Sequence, residues 1–199
     1  MFTGIIEALG SVEAVEAVGG DVRIRFVEEG GYLADCKLGD SIACNGICLT
    51  AVAFIPNGFV ADLSAETLAA TTAGSWVAGM PVNFEKALTP SKLLGGHLVS
   101  GHVDGVGQLI EVHEEARGWR LRFAAPAELA RYIAKKGSIT INGISLTVNE
   151  VEGRSFGVMI VPHTRSNTTL GSLVVGSNVN LEVDLIARYL ERLLAAREG

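Results

Sequence analysis

An internal repeat with a spacing of 97 residues constrains this chain more than any other feature. The stretch IACNGICLT (Ile42 to Thr50) is matched by ITINGISLT (Ile139 to Thr147), and TTAGSWVAGMPVNFE is matched by TTLGSLVVGSNVNLE. A gapless comparison that starts at Gly4 and ends at Leu88 gives 25 identities in 85 pairs. Two repeats of this length predict two complete domains and not a solenoid, which needs several short units.

Each copy has the pattern of β structure. DVRIRFV and GWRLRFA alternate apolar and polar residues, the two-residue period of a half-buried strand. The Asn-Gly pairs at Asn45 and Asn142 predict tight hairpin turns, because both residue types tolerate positive φ. About six short strands per copy predict an all-β fold of two tandem, homologous, six-stranded antiparallel Greek-key barrels, followed by a C-terminal helix.

Helices are expected at a few places. PAELARYIAKK (Pro126 to Lys136) puts Leu129, Tyr132 and Ile133 on one face, and short helices are expected after Thr67 and after Thr164. The segment 184–198 is an amphipathic helix that has no counterpart in the first repeat. It either packs on its own barrel or makes an oligomer contact.

The predicted domains are residues 1–97, a first barrel; residues 98–184, a second barrel; and residues 185–199, an oligomerisation helix. Pro, Ser and Gly gather between Lys86 and Gly96, which favours a linker there.

Composition excludes several classes of protein. The net charge of −6 and the absence of a Lys/Arg cluster argue against nucleic-acid binding. No apolar run is long enough to span a membrane, and the N-terminus lacks a signal-peptide pattern, so a cytoplasmic location is expected. Cys36, Cys44 and Cys48 are interpreted as small buried hydrophobes, and their spacing predicts no metal site.

Six motifs occur in order on this repeat: MFTGII, NGICLT, GGHLVSGHVDG, KGSITINGISLTV, VPHT and VNLEVD. Together they resemble the riboflavin synthase family of the α type, over essentially the whole chain. The resemblance implies a homotrimer in which each barrel binds one 6,7-dimethyl-8-ribityllumazine, with active sites between subunits and the C-terminal helices at the trimer axis. It implies no metal or redox cofactor, and it leaves room for association with lumazine synthase.

The reaction that the resemblance implies is a dismutation, the last step of riboflavin biosynthesis. One lumazine gives a four-carbon unit to another, which yields riboflavin and 5-amino-6-ribitylamino-uracil. Two identical molecules with different fates need two similar pockets with different side chains, and a duplicated domain provides them.

The resemblance also implies the site residues. The first pocket takes Gly4, Ile5, Ile6, Cys48, Leu49, Thr50, Asp62, Leu63, Ser64, Ala65, Glu66 and Thr67. The second takes Gly101, His102, Val103, Lys136, Ser145, Leu146, Thr147, Ile160, Val161, Pro162, His163, Thr164 and Arg165. The catalytic candidates are Cys48, His102, Ser145, Thr147 and Asp184.

Four of the five catalytic candidates, all except Thr147, differ from their counterparts in the other copy. Cys48, which replaces Ser145, either assists proton movement or a nucleophile, or is an inert buried thiol. His102 stands where the first copy has Ile5, which favours a role with a proton from the 7-methyl group or from a nucleophile at carbon 7.

Asp184 replaces Ala87 and is either a site residue or the N-cap of the last helix. Lys136 either meets the ribityl chain or is solvated, and His97 and His163 are as consistent with a structural role as with a functional one. Thr50 and Thr147 either contact the ligand or only favour the strand. For Thr67 and Thr164 the alternative to a ligand contact is a helix N-cap, and the two roles can coexist.

Other functions fit less well. The lumazine proteins of bioluminescent systems bind the same ligand as antennae without catalysis, but Cys48, His102 and both pocket motifs favour an enzyme here. A flavin reductase needs a nucleotide-binding domain with a G-x-G-x-x-G motif, which this sequence lacks. The acidic charge argues against an OB-like nucleic-acid module.

Overall fold

The computed structural model describes residues 1–115 and 117–197. The first half contains β1 (Ala8–Val18), β2 (Asp21–Val27), β3 (Ser41–Cys44), β4 (Ile47–Thr50), β5 (Ala53–Ile55), β6 (Gly58–Leu63), α1 (Ala65–Ala70), a 3-10 turn (Thr72–Ser75) and β7 (Pro81–Lys86). The second half contains β8 (Gly105–Glu115), β9 (Gly118–Ala124), a 3-10 turn (Ala130–Tyr132), β10 (Ser138–Ile141), β11 (Ile144–Glu152), β12 (Ser155–Ile160), α2 (Pro162–Asn167), a 3-10 turn (Thr169–Ser172), β13 (Asn178–Val183) and α3 (Leu185–Ala195).

Both halves form antiparallel barrel-like sheets, which confirms the predicted fold class. The second sheet is a closed barrel in the order β10-β11-β12-β9-β8-β13. The first has seven segments in the order β4-β3-β7-β1-β2-β6-β5. β4 and β5 flank Ala51 and Val52 and together cover the positions that β11 covers in the second half. They are therefore one strand with a break, and the two halves share a six-strand plan.

Each half has its own apolar core. Phe26 and Phe59 stack in the first core with ring centroids 5.0 Å apart, and Phe123 and Phe156 stack at the equivalent positions of the second, 5.7 Å apart. All four side chains are essentially inaccessible to solvent. Aromatic pairs in this geometry stabilise beyond the area they bury.

A pseudo-twofold axis relates the halves. Phe2 and Val99, which are equivalent positions, form a reciprocal pair of backbone hydrogen bonds of 2.7 and 3.1 Å. Buried Asn83 donates through Nδ2 to the carbonyl of Asn142 (2.9 Å), and its Oδ1 accepts from the N–H of Thr169 (2.8 Å). Asn180 repeats the pattern with the carbonyl of Asn45 and the N–H of Thr72. The two barrels are thus joined by a duplicated polar contact.

The two short helices begin earlier than the sequence predicted. Ser64 caps α1, because its Oγ accepts the N–H of Thr67 at 3.2 Å, and Pro162 occupies the first turn of α2, where its fixed φ is favourable. Thr67 and Thr164 therefore lie inside their helices, and the predictions that helices follow them and that they are N-caps were wrong.

The helix predicted over Pro126 to Lys136 is also corrected, because the structure has only one 3-10 turn there. The N–H of Leu129 bonds to the carbonyl of Pro126, and that of Ile133 to the carbonyl of Ala130, both three residues back. This tight turn already buries Leu129 and Ile133 in the second core, and a segment this short is a marginal α-helix.

The C-terminal helix α3 lies on the second barrel. Arg188 donates through Nη2 to Asp104 Oδ2 (2.7 Å) and to the carbonyl of His102 (2.8 Å), and Tyr132 bonds to Glu191. Glu198, the end of the predicted helix, lies outside the described residues. No helix among those described is long and apolar enough to cross a membrane. The outer apolar side chains of α3 are exposed in the single chain: Ile186, Tyr189, Leu190, Leu193 and Leu194.

Candidate functional site

Two equivalent hairpins position the candidate residues. Asn45 and Gly46 have φ of 45° and 80°, and Asn142 and Gly143 have φ of 47° and 82°, as a tight hairpin turn requires. The following strands carry Cys48 to Thr50 and Ser145 to Thr147.

The segment that precedes each barrel crosses to the hairpin of the other half. The N–H of Ser145 donates to the carbonyl of Gly4 at 2.7 Å, and the N–H of Cys48 donates to the carbonyl of Gly101 at 2.8 Å. Ile6 accordingly packs on the second core and Val103 on the first. The two segments therefore lie against the hairpins of the opposite repeat, whereas the sequence grouped them with the hairpins of their own repeat.

We call the two resulting groups the Cys48 site and the Ser145 site. The Cys48 site consists of 48–50, 62–67 and the crossing segment 101–103. The Ser145 site consists of 145–147, 160–165, Lys136 and the crossing segment 4–6. β4 packs beside β6, and β11 pairs with β12, which brings the strand-to-helix segments 62–67 and 160–165 next to their hairpins.

Only glycine fits at either crossing. Gly4 and Gly101 have φ of +74° and +80°. An added Cβ would lie 2.5 Å from Ser145 Cβ in one case and 2.7 Å from Cys48 Cβ in the other. These approaches hold the crossing segments directly against the hairpins.

A buried carboxylate fixes each crossing segment. Glu85 accepts from the N–H groups of Thr3 (2.7 Å) and Gly4 (2.9 Å). Glu182 accepts in the same way from Ser100 (2.6 Å) and Gly101 (2.9 Å). Burial raises the pKa of Glu182, and the hydrogen bonds from Ser100 oppose that shift.

The side chains around the two hairpins differ. His97 Nδ1 lies 2.7 Å from Ser145 Oγ, and His97 Nε2 lies 3.1 Å from Thr140 Oγ1. Burial lowers the pKa of His97 below its usual value, while the charge of Asp184 opposes the shift. At the equivalent positions the first half has Ala43 for Thr140 and Ala87 for Asp184.

Cys48 thus packs in an apolar cluster. Phe2, Ala43 and Val99 are buried there, with Cys48 and Ala87 packed against them. Behind the hairpin, the Ser145 site has the hydrogen-bonded side chains of His97 and Thr140, whereas the Cys48 site has apolar side chains.

The remaining catalytic candidates are placed as follows. The His102 side chain is exposed, and its carbonyl is held by Arg188. Asp184 Oδ1 accepts the N–H of Ile186 at 3.0 Å, so Asp184 is the N-cap of α3, and its charge also reaches His97. Thr147 is exposed at the end of the Ser145 hairpin.

Several predicted ligand contacts face the barrel cores. Leu49, Leu63 and Ile160 are buried in the cores, which leaves only their backbone groups for a ligand. In contrast, Thr50, Ser64, Glu66, Lys136 and His163 are exposed.

His163 belongs to a local hydrogen-bonded pair. Asn167 Nδ2 lies 2.8 Å from its carbonyl and 3.3 Å from its Nδ1. His113 is exposed and pairs with Glu111. No group of three His, Cys, Asp or Glu side chains able to hold a metal ion was found within residues 1–115 and 117–197.

Charged side chains distinguish the outer parts of the sites as well. At the Ser145 site the Arg165 guanidinium lies 3.9 Å from the centroid of the Trp119 ring, where the Cys48 site has Leu68 and Val22. At the Cys48 site Asp62 forms a two-point ion pair with Arg23 (2.7 and 2.8 Å), and this hydrogen bonding lowers the pKa of Asp62. Sequence reasoning missed Trp119, Arg23 and Thr140. Trp119 and Thr140 differ from Val22 and Ala43 of the first copy, which was a readable signal, whereas Arg23 is matched by Arg120 and gave none.

Two related barrels, each with a hairpin completed by a segment of the other half, define a tandem-barrel protein with two similar candidate sites. The Lumazine binding domain family matches residues 3–87 and 100–184. Riboflavin synthase of Photobacterium phosphoreum is 48% identical over 194 residues, which is 98% of this chain and 89% of that protein. Riboflavin synthase of Mycobacterium tuberculosis is 45% identical over 198 residues, 98% of either chain. The chain belongs to the riboflavin synthase family.

Solved structures agree in fold. LumP complexed with riboflavin has a TM-score of 0.86 at 25% identity and covers 92% of this chain and 99% of its own. LumP complexed with 6,7-dimethyl-8-(1'-D-ribityl) lumazine has a TM-score of 0.83 at 24% identity, with the same coverage.

Proposed function

We propose that this protein catalyses the riboflavin synthase reaction, as a transferase. Two molecules of 6,7-dimethyl-8-ribityllumazine react, one gives a four-carbon unit to the other, and the products are riboflavin and 5-amino-6-ribitylamino-uracil. The reaction takes no metal or redox cofactor.

The observation that carries this proposal is the pair of sites with one backbone frame and different linings. Both hairpins, both crossing glycines and both buried glutamates are equivalent. The polar chain of His97, Ser145 and Thr140 exists at one site only. A shared frame suits two identical ligands, and unlike linings suit a donor and an acceptor.

In this proposal the hairpin threonines and the exposed strand-to-helix segments hold the ring and the ribityl chain. Thr50 and Thr147 present hydroxyls at equivalent places, while Lys136 adds a cation at the Ser145 site only. Cys48, His102, Ser145, Thr147 and Asp184 are the proposed catalytic group.

We further propose a homotrimer whose active sites form between subunits. The site residues on the surface, such as His102 and Thr147, leave each half-site open in the single chain. The apolar side chains of α3 are also open, with Ile186 73% and Leu193 66% exposed, which supports helix packing between copies. We place the enzyme in the cytoplasm and regard association with lumazine synthase as a separate expectation.

The test is direct. Purified protein mixed with the lumazine is expected to produce riboflavin, followed by its visible absorbance, and one uracil product per riboflavin. The second candidate is a non-catalytic lumazine- or flavin-binding antenna, which the fold shared with LumP favours. Tight binding of the lumazine without riboflavin formation would select the antenna.

A further inference from the structure

The Ser145 hydroxyl belongs to a three-member hydrogen-bonded chain. Its Oγ lies 2.7 Å from His97 Nδ1, and the other ring nitrogen of His97 lies 3.1 Å from the hydroxyl of Thr140. Thr140 is buried, and the carbonyl of Gly4 already occupies the backbone N–H of Ser145. A neutral imidazole that donates from Nε2 to Thr140 has its free lone pair on Nδ1, directed at Ser145.

The fold does not require the imidazole of His97 at this position. The backbone N–H of His97 already bonds to the carbonyl of Thr3 at 3.2 Å, and Glu85 holds Thr3 and Gly4. At the Cys48 site the equivalent crossing is held by Glu182 and the N–H of Cys48, with an apolar cluster behind the hairpin. The imidazole is therefore an addition to one site and not part of the common frame.

We propose that His97 is a positioning residue that acts through Ser145, and that the Ser145 site is where a bound lumazine loses a proton. This inference rests on the proposed function and adds to it a proton acceptor and the site at which it works. The acid is a group of the ligand within reach of Ser145 Oγ, and the 7-methyl group is the expected one.

The proton transfer is balanced. Ser145 Oγ takes the proton of the ligand while its own O–H proton passes to His97 Nδ1. Ser145 ends as a neutral hydroxyl, His97 as an imidazolium, and the ligand as an anion, and no bond to carbon forms. Thr140 keeps the ring oriented, and the carboxylate of Asp184 stabilises the imidazolium.

The charges around His97 fit this role. Asp184, at the end of β13, is the charged group that acts on the ring. Ser145 and Thr140 are neutral, and Glu85, reached through Thr3, is paired with Lys92 at 3.1 Å. Burial keeps the imidazole in its neutral, proton-accepting form near pH 7.

The experiment uses His97→Asn, Ser145→Ala and their combination in the full chain, with His113→Asn as the matched control at an exposed histidine. His97→Asn keeps an acceptor near Ser145 but cannot take a proton. We expect kcat to fall about 100-fold, the usual scale for losing acid–base catalysis, with KM and melting temperature nearly unchanged. In the Ser145→Ala background the same change is expected to add less than about 3-fold, because coupled residues are not additive.

Two further measurements keep the inference open to refutation. Thr140→Val, which leaves His97 and Ser145 in place, is expected to lower kcat about 10-fold through loss of ring orientation. Exchange of the 7-methyl protons of the lumazine with deuterium, followed by NMR, reports the proton loss without requiring riboflavin formation. Faster exchange with wild type than with His97→Asn or Ser145→Ala is expected.

The outcomes separate the two proposals. Exchange without riboflavin formation refutes the proposed function and supports this inference. If riboflavin forms, three results refute the inference alone. They are an unchanged kcat in His97→Asn, losses that multiply in the double variant, and proton exchange that is no faster with wild type than with the variants.

Discussion

The Cys48 site and the Ser145 site are built on the same backbone and differ in what lies behind the hairpin. The frame consists of backbone hydrogen bonds, one crossing glycine and one buried glutamate, and none of these changes between the halves. The lining consists of side chains, and it changes from Ala43 and Ala87 to Thr140 and Asp184. A duplicated domain can thus keep its backbone frame while the side chains behind that frame diverge.

Asp184→Ala should have the largest effect on turnover, because it gives the Ser145 site the alanine that the first half has at position 87. Removing the carboxylate takes away the charge near His97 and the cap of α3. We expect turnover to fall about 100-fold, while the lost cap costs about 1 kcal/mol of the free energy of unfolding. Steady-state kinetics and urea unfolding measure the two effects.

Asp184→Asn is the matched control for that change, because asparagine also caps helices well. Turnover is expected to fall while the free energy of unfolding stays near that of wild type. An Asn variant with full activity would show that Asp184 only caps α3, and the polar difference between the sites would then stop at His97.

The shared frame predicts a similar pair of losses. Asn83→Ala leaves the buried N–H of Thr169 without its acceptor, and Asn180→Ala does the same to Thr72. We expect each to lower the free energy of unfolding by about 2–4 kcal/mol, because a buried N–H and a buried carbonyl both lose their partners. The two values should agree within about 1 kcal/mol, the usual net value of one hydrogen bond, and Asn83→Ala should be the larger because Asn83 Nδ2 also donates to Thr169 Oγ1 at 2.9 Å.

Asn178→Ala is the control for that pair, since Asn178 is the exposed first residue of β13. Its effect is expected to stay within about 0.5 kcal/mol. If one buried Asn variant were silent while the other was destabilised, the contacts across the pseudo-twofold axis would not be energetically equivalent.

The sequence predicted the barrels well because the signal is local and appears twice. Every strand and short helix of the first half, with β4 and β5 taken together, has its equivalent 97 residues later. The crossing of Gly4 to Ser145 could not be predicted, since a segment with the same local sequence can pair with either hairpin. His97 was undervalued for the same reason, because only the tertiary fold brings it to Ser145, 48 positions away.

Exchanging the side chains of Cys48 and Ser145 tests the smallest difference between the two sites. In the part of the chain that the structure describes, Cys48 packs against the cluster of Phe2, Ala43 and Val99, and no hydrogen bond to its Sγ is found. Cys48→Ser places a hydroxyl in that apolar cluster, so we expect a loss of about 1 kcal/mol in the free energy of unfolding, the low end for a partly buried group. Turnover should fall by no more than about 10-fold, because the serine hydroxyl keeps a hydrogen-bonding group at this proposed catalytic position.

Ser145→Cys is the opposite exchange and should cost more turnover and less stability. A thiol is a weak hydrogen-bond donor, so its contact with His97 Nδ1 is weaker than that of the serine hydroxyl, while its apolar character suits a half-buried place. Steady-state kinetics and melting temperatures of both variants measure the losses of turnover and of stability. A fall of more than about 100-fold in Cys48→Ser would match the loss of an acid–base residue. It would show that the chemistry needs the sulfur itself and not only a hydrogen-bonding group at this position.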